Sequence, residues 1–555
     1  MRVADFFCGG GGFSEGFRQA GFDLVFAVDK WKPAVMTYKG NKPGVNVILD
    51  DIIRISNLGD EEFENLVPDS EVIIGSPPCQ AFSQSNKSGN ADKTIGIQLI
   101  EAYLRIIARK KFKKNSVLKY WVLENVPNSQ KYIKKEYSAK DLGVEGDFIL
   151  HTRNNNSGIY NAKNFGAPTN RKRFLCGDFP ELEITHSDEE AVTLKAVLDS
   201  LGDPLAKTKS DICDVNYPDL ILPSTEITDF HYIRELAPFE WKTAKRLKQD
   251  KGYMGKMAFP ENENNPARTV MATMSSSSRE AMILRYQEDR YRLPTVREVA
   301  SMMSFPIDYR FYGNTMGIKH TLVGNAVPPK LSYAIAKSIA RENGLDVPNK
   351  YIPIQHDSDI KFVNLNGVIL SINQEKPRRE VAKFKYHIPY LILNSYRVEL
   401  TNYHSDFTNN KFCWDAELHY SQGKKRAAVY DFEVSLDMID EKFRKPIIRY
   451  INKIDKKLLS FDEFQKAYCK TERQRQESGE LGPFELLDDV RNFICSLMSP
   501  LEMKDKKSII NGLYELPNAI IVGYYLLQHI IKKMGGKDNG CANKETETPG
   551  VDKKG

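Results

Sequence analysis

The first 125 residues alternate short apolar runs with stretches whose apolar residues recur every three or four positions. The runs, three to six residues long, are 2–7, 24–28, 46–49, 72–74 and 119–123. One of the intervening stretches, 96–108, places Ile97, Ile100, Leu104 and Ile107 on one helix face. Short apolar runs separated by amphipathic helices predict an α/β fold built on a parallel sheet.

Polar residues follow the first three runs, where the chain leaves the predicted sheet. A glycine loop from Cys8 to Gly12 follows the first strand, Asp29 the second and Asp51 the third. Ligands of open α/β sheets bind at this edge, and a carboxylate after the second strand suits the hydroxyls of a ribose. Asp51 could accept a hydrogen bond from an adenine amino group, although Asp there is more often a helix cap. The glycine spacing is not that of a pyrophosphate binder, so the loop alone is weak evidence for a nucleotide-like cofactor.

The fourth strand runs into Gly75-Ser76-Pro77-Pro78-Cys79-Gln80-Ala81-Phe82-Ser83. The two prolines restrict the backbone, so the Cys79 sulfur is presented from a stiff loop just past the strand. The alternative is an ordinary buried thiol, because free cysteine is among the most buried residue types. Glu124 repeats the pattern at the end of the fifth strand, where a carboxylate beside Cys79 could donate or accept a proton.

Two basic patterns lie further along the chain. Arg171 and Arg173 are two residues apart directly before another strand, so they are expected to share a face that suits a phosphate or a base carbonyl. Segment 241–248 combines Trp241 with four basic residues. It fits either a nucleic-acid contact or a solvated helix.

The composition of the chain bears on its partners and its cellular compartment. The 555 residues carry 79 basic and 73 acidic side chains, so the net charge of +6 does not by itself indicate a nucleic-acid partner. The eight cysteines form no C-x-x-C pair, which argues against a zinc site or a disulfide framework and fits a reducing cytoplasm. No apolar run reaches about 18 residues and no signal region precedes the first strand, so a soluble cytoplasmic protein is expected.

Taken together, these motifs resemble the DNA cytosine-5 methyltransferases of bacterial restriction-modification systems over about the first 345 residues. The matching segments occur in the family's order and are 5–13, 75–83, 124–126, 171–173, 291–298 with 304–306, and 323–329. The resemblance implies a Rossmann-like S-adenosylmethionine-dependent methyltransferase domain with a smaller target-recognition domain. Asp29, Thr169 and Met303 depart from the family's usual residues, but none of them removes a group from the implied chemistry.

The resemblance also implies roles for single residues. Cys79 would add as a thiolate to cytosine C6, and Glu124 would protonate or hydrogen-bond N3. Arg173 would hold the base carbonyl and Arg171 nearby backbone. The cofactor would be S-adenosyl-L-methionine, without a metal. The residues that match its contacts are Phe7, Gly9, Gly12, Asp29, Asp51, Ile52, Pro78 and Asn325.

The implied substrate is a specific sequence in double-stranded DNA, from which the target base must be flipped out. A monomeric enzyme is expected, with a cognate restriction endonuclease acting on the same site. Two alternatives stay open. An RNA or tRNA cytosine-5 methyltransferase would use the same scaffold, whereas a non-catalytic DNA-binding regulator is disfavoured by the intact Cys79 and Glu124.

The implied domain order is a catalytic domain at 1–180 and 318–345, with the target-recognition domain at 181–317. The recognition domain includes 241–248. Beyond residue 345 the pattern predicts a β-rich extension at 346–435, a helical extension at 436–534 and a disordered tail at 535–555.

Four acidic residues of the extension suit a metal-dependent nuclease site, and they are Asp415, Glu417, Asp431 and Glu433. Acids of period two on the wet face of a strand are far commoner than such a site. A helper module for DNA binding or protein association is therefore favoured.

Overall fold

The computed structural model describes residues 1–79, 82, 93–206, 210–250, 256–367, 373–421, 428–430, 432–510 and 512–536. The chain divides into two compact units. The first comprises Met1–Leu236 and Ala258–Ile372, and the second comprises Ala237–Met257 and Asn373–Gly555. Within the described ranges, none of the helices has the length and apolar character needed to span a bilayer.

A seven-stranded mixed sheet organises the first unit. Its parallel strands are β1 (Arg2–Phe6), β2 (Asp23–Asp29), β3 (Asn46–Leu49), β4 (Val72–Gly75) and β5 (Tyr120–Asn125), in the spatial order β3-β2-β1-β4-β5. Lys172–Asp178 pairs antiparallel with β5, and Gly158–Asn161 pairs antiparallel with Lys172–Asp178 at the edge of the sheet. The predicted α/β class and the five predicted parallel strands are confirmed.

β5 is longer than predicted, and this changes the position of Glu124. The expectation that the strand ends at Leu123 is wrong, because Glu124 pairs with Leu175 and Asn125 with Phe174 of the neighbouring antiparallel strand. The Glu124 carboxylate therefore projects from the sheet itself and not from a following loop.

Helices cover the sheet and bury its apolar residues. The helix predicted at 96–108 spans Thr94–Phe112, and a further helix spans Pro329–Glu342. The latter packs against α1 (Gly12–Gln19) so closely that a Cβ atom on Gly16 would lie 2.1 Å from Ser332 Oγ. The other α-helices of this unit are α2 (Lys32–Asn41), Ile52–Ser56, Asp60–Leu66, Ala139–Leu142, Leu194–Leu201, Val296–Met302 and Met316–Asn325. Its short strands are Glu136–Ser138, Ile149–His151, Thr169–Asn170, Asp211–Cys213, Ile221–Pro223, Ala267–Arg268, Leu284–Gln287 and Arg290–Arg292.

The second unit is an α+β structure with a shared core. Its antiparallel sheet is formed by Lys385–His387, Tyr396–Thr401, Asp415–Tyr420 and Ala428–Tyr430, and a hairpin by Lys506–Ile509 and Tyr514–Pro517. Its helices are Pro238–Gln249, Glu441–Ile454, Phe461–Cys469, Glu472–Ser478, Pro483–Leu497, Pro500–Lys504 and Asn518–Gly535. Trp414 and Leu418 of the β-rich part pack in one buried cluster with Leu487 and Leu527 of the helical part.

The helix Pro238–Gln249, here called the insertion helix, belongs to the second unit although it lies within the predicted recognition domain. Lys242 forms an ion pair with Glu472. Arg246 pairs with Asp488 at 2.6 Å, and its guanidinium lies 4.4 Å from the centre of the Phe484 ring. Two of the four basic residues in 241–248 are thus engaged inside the second unit, which neither sequence interpretation anticipated.

We expect Arg246→Ala to lower the free energy of unfolding of the second unit by about 1–2 kcal/mol, because it removes both the partner of Asp488 and the packing on Phe484. Urea unfolding followed by circular dichroism measures the change. The matched control is Lys245→Ala on the same helix, whose ammonium has no ion pair within the described part of the chain. Equal unfolding midpoints for the two variants would contradict the prediction.

Candidate active site

A cavity of about 350 Å³ opens at the carboxyl ends of β1, β4 and β5. Nine of the twelve predicted site residues line it, and they are Phe7, Gly9, Gly12, Asp29, Pro78, Cys79, Glu124, Arg173 and Asn325. The other three, Asp51, Ile52 and Arg171, are not among its lining residues. The sheet edge therefore gathers into one cavity most of the residues that the sequence pattern singled out.

The glycine loop forms one wall of this cavity. Phe7, Gly9 and Gly11 all have positive φ angles, of 59°, 51° and 79°. The two Asp29 carboxylate oxygens accept hydrogen bonds from Gly9 N at 2.9 Å and Trp31 N at 2.8 Å. Asp29 thus holds the loop through Oδ2 and also lines the cavity.

Cys79 is half-buried and lies in the loop that follows β4. The Asn125 side chain donates to the Pro77 carbonyl at 3.0 Å, which ties this loop to the end of β5. Burial raises the pKa of the Cys79 thiol, with Arg173 lowering it and Glu124 raising it. The resting side chain is therefore a protonated thiol that must lose its proton before it can act as a nucleophile.

Glu124 is held from both sides. Its Oε1 lies 2.7 Å from Arg173 Nε, and the two side chains are only 5% and 8% exposed. Its Oε2 accepts a hydrogen bond from Ser76 Oγ at 2.6 Å. Sequence reasoning assigned no role to Ser76, although its place directly after β4 and three residues before Cys79 was the available signal.

The two arginines make different contacts. Arg173 lies in the strand Lys172–Asp178 and lines the cavity, whereas Arg171 directly precedes the strand and is not among the lining residues. The Arg171 guanidinium donates to the carbonyl oxygens of Val270 at 2.9 Å, Gly324 at 2.8 Å and Ala326 at 3.1 Å. Since Gly324 and Ala326 flank Asn325, Arg171 fixes the backbone that presents Asn325 to the cavity.

Asp51 takes the alternative role considered for it. Its Oδ1 accepts a hydrogen bond from Ile53 N at 2.8 Å, so it caps the helix Ile52–Ser56. Ile52 is 2% exposed and belongs to the apolar core. The adenine contact suggested for these two residues stays a prediction.

A buried network lies beneath the glycine loop and consists of Asp5, Ser14, Tyr38, Lys42 and Tyr309, each at most 3% exposed. The Ser14 hydroxyl donates to Asp5 and lies 2.6 Å from the Tyr38 hydroxyl. Lys42 Nζ donates to the Tyr309 hydroxyl at 2.8 Å. The Tyr309 hydroxyl in turn donates to the Gly10 carbonyl at 2.6 Å.

Asp5 should make the stability of the protein pH-dependent. Burial raises the pKa of its carboxyl to about 7 against the effects of Ser14 and Lys42. The pKa of Asp5 in the unfolded chain is near 4, so the protonated carboxyl stabilises the fold fully below about pH 4. This stabilisation is lost as the pH rises through 7. The free energy of unfolding should therefore fall between about pH 4 and 7. We expect Asp5→Asn to make this fall smaller by a few kcal/mol, since each pKa unit is worth about 1.4 kcal/mol. The free energy of unfolding from pH 4 to 8 measures the change, and a slope in Asp5→Asn equal to that of the wild type would contradict the prediction.

Three of the four acidic residues considered above for a nuclease site lie in the described part of the chain, and each has a basic neighbour. Glu433 is directed to Lys532 at 3.3 Å, and Asp431 lies outside the described residues. Glu417, Glu399 and His419 come within 4.8 Å of one another. The Lys385 ammonium lies 2.7 Å from Glu417 and 3.3 Å from Glu399, so the chain itself supplies a cation between these carboxylates.

Comparison with known proteins identifies a family for this chain. Residues 1–341 match the model of the C-5 cytosine-specific DNA methylase family. The chain is 27% identical over 350 residues to the type II methyltransferase M.MthTI of Methanothermobacter thermautotrophicus, covering 62% of this chain and 98% of that protein. It is 27% identical over 362 residues to the type II methyltransferase M.NgoPII of Neisseria gonorrhoeae, covering 61% and 96%.

Among solved structures, the S. pombe Dnmt2 methyltransferase is similar with 18% identity and a TM-score of 0.40, over 62% of this chain and 99% of that one. The family match spans more than half of this chain. The methyl donor of the family is S-adenosyl-L-methionine. The chain therefore belongs to the C-5 cytosine-specific DNA methylase family and is a DNA (cytosine-5-)-methyltransferase.

Proposed function

We propose that the protein methylates C5 of a cytosine within a specific double-stranded DNA sequence through a covalent adduct on Cys79. The observation that carries this proposal is the common cavity in which Cys79, Glu124 and Arg173 meet the glycine loop. The lining suits the cofactor, because it combines a glycine backbone wall, the Asp29 carboxylate and the aromatic residues Phe7 and Trp31. Bound S-adenosyl-L-methionine would supply an electrophilic methyl group.

The residues of the chain would act in sequence on the base. Cys79 would release its thiol proton to solvent and bond through Sγ to C6, while Glu124 would take up a proton from solvent and give it to N3. This addition makes C5 nucleophilic enough to take the methyl group. Loss of the C5 proton to solvent would then expel Sγ and restore the C5–C6 double bond, and N3 would return its proton to Glu124. Arg173 would hold the base carbonyl, with its guanidinium already oriented by Glu124.

Because Cys79 lies inside a cavity, the target cytosine would have to leave the duplex to reach it, at a cost of a few kcal/mol. The relatives are named type II methyltransferases. This supports a role in which methylation protects DNA from a cognate restriction endonuclease.

Bisulfite sequencing tests the proposal. Plasmid DNA is incubated with S-adenosyl-L-methionine and either the full chain, Cys79→Ser or no protein, and tRNA is treated in parallel. Methylated cytosines confined to one DNA sequence context, and present only with the wild type, are expected. Unmodified DNA with methylated tRNA would assign the substrate to RNA, and no modification of either would reject the proposal.

A further inference from the structure

We propose that Tyr309 and Lys42 are positioning residues for the cofactor, which hold the glycine loop in the shape that binds S-adenosyl-L-methionine. The inference rests on the proposed function in one respect, namely that the loop forms the cofactor wall of the cavity. It concerns side chains that line no part of that cavity and would not touch the cofactor.

The loop needs support from outside its own residues. Three of the five residues from Phe7 to Gly11 have positive φ angles, and glycines lose more conformational freedom on ordering than other residues. A loop of this kind would not hold one conformation through its local sequence. Its shape must therefore be imposed by the groups packed against it.

Tyr309 and Lys42 are placed to impose that shape. The Tyr309 hydroxyl donates to the carbonyl of Gly10, a residue that lines the cavity. A Cβ atom on Gly11 would lie 2.6 Å from this hydroxyl and 3.1 Å from Lys42 Nζ, so both groups pack directly under the loop. The Tyr309 hydrogen bond is thus made to a residue that itself forms part of the surface offered to the cofactor.

Both side chains are themselves held in place. Lys42 lies 3.2 Å from the Glu15 carboxylate and 4.6 Å from the centre of the Tyr309 ring. The backbone carbonyl of Tyr309 accepts a hydrogen bond from Arg297 at 2.6 Å. A fully buried, hydrogen-bonded ammonium and phenol form a rigid support, so the loop is preorganised before the cofactor arrives.

Tyr309→Phe tests the proposal, because it keeps the ring and removes only the hydroxyl. We expect the Kd for S-adenosyl-L-methionine to rise roughly 5- to 50-fold, since a buried carbonyl and a buried ammonium each lose a partner. At saturating cofactor, kcat should stay within about 2-fold of the wild type, because no group of the reaction is touched. Calorimetric titration of the full chain and steady-state kinetics give the two values.

Tyr312→Phe is the matched control, since its hydroxyl donates to the Gly40 carbonyl at 3.3 Å, away from the loop. It should leave the Kd unchanged. If Tyr309→Phe binds the cofactor as the wild type does, or loses only kcat, the positioning role is wrong. If that variant is unstable in a melting experiment, Lys42→Met decides by the same two measurements. A wild type that binds no cofactor would instead overturn the proposed function.

Discussion

Cys79→Ser should reduce methyl transfer to DNA below detection while leaving S-adenosyl-L-methionine binding intact. A serine hydroxyl is far less acidic and less nucleophilic than a thiol, so it would not add to C6 at neutral pH. The change is nearly isosteric, and the stiff Pro77-Pro78 support remains. Transfer of labelled methyl groups to duplex DNA measures the activity, and calorimetry measures cofactor binding.

Cys213→Ser is the control for this prediction, because Cys213 is an exposed cysteine remote from the cavity lining. It should keep full activity. Normal methyl transfer by Cys79→Ser would remove Cys79 as the nucleophile. Loss of cofactor binding in that variant would show that the cysteine supports the cavity and would leave its chemical role without evidence.

Glu124→Gln should lower the rate of methyl transfer by about 10²- to 10⁴-fold, the usual contribution of a positioned acid or base. Glutamine has the same size and can still accept from Ser76, but it has no acidic proton to give to N3. Its neutral amide also leaves the Arg173 guanidinium without a charged partner. The single-turnover rate at saturating DNA and cofactor is the appropriate measurement.

Glu183→Gln provides the comparison, since Glu183 is 54% exposed and pairs with Lys337 on the surface. That variant should retain the wild-type rate. If Glu124→Gln remained within a factor of about ten of the wild type, proton transfer by Glu124 would be excluded as a major contribution. A fall confined to DNA affinity would assign Glu124 to base binding alone.

The strands could be predicted because each is an apolar run too short for a helix and followed by a turn signal. The local pattern could not predict the residue at which β5 ends. Glu124 and Asn125 remain in the strand because Leu175 and Phe174 pair with them from 50 residues away. Pairing between distant segments leaves little trace in the sequence of either one.

The candidate site also combines residues that the local sequence predicts with residues whose role depends on distant contacts. Cys79 and Glu124 could be found because each is a reactive residue at a strand end. Ser76 has a common side chain whose importance comes only from its 2.6 Å contact with Glu124. The contacts of Arg171 could not be predicted either, because the carbonyl groups that it binds belong to Val270, Gly324 and Ala326, far along the chain.

The insertion helix was the largest difference from expectation. Its sequence is compatible with a DNA-facing helix, a solvated helix or a helix packed in another domain, because all three are basic and amphipathic. Its ion-pair partners Glu472 and Asp488 lie 230 and 242 residues further along the chain. No inspection of 241–248 alone could have identified them.

The insertion helix also limits how the predicted recognition domain could be exchanged. Exchanging residues 181–317 as one cassette with a relative would carry away the helix and leave its binding surface, formed in part by Phe484 and Asp488, without an occupant. Grafts that retain 237–257 avoid this defect. Where the donor sequence must replace that segment, residues 373–536 have to be transplanted with it.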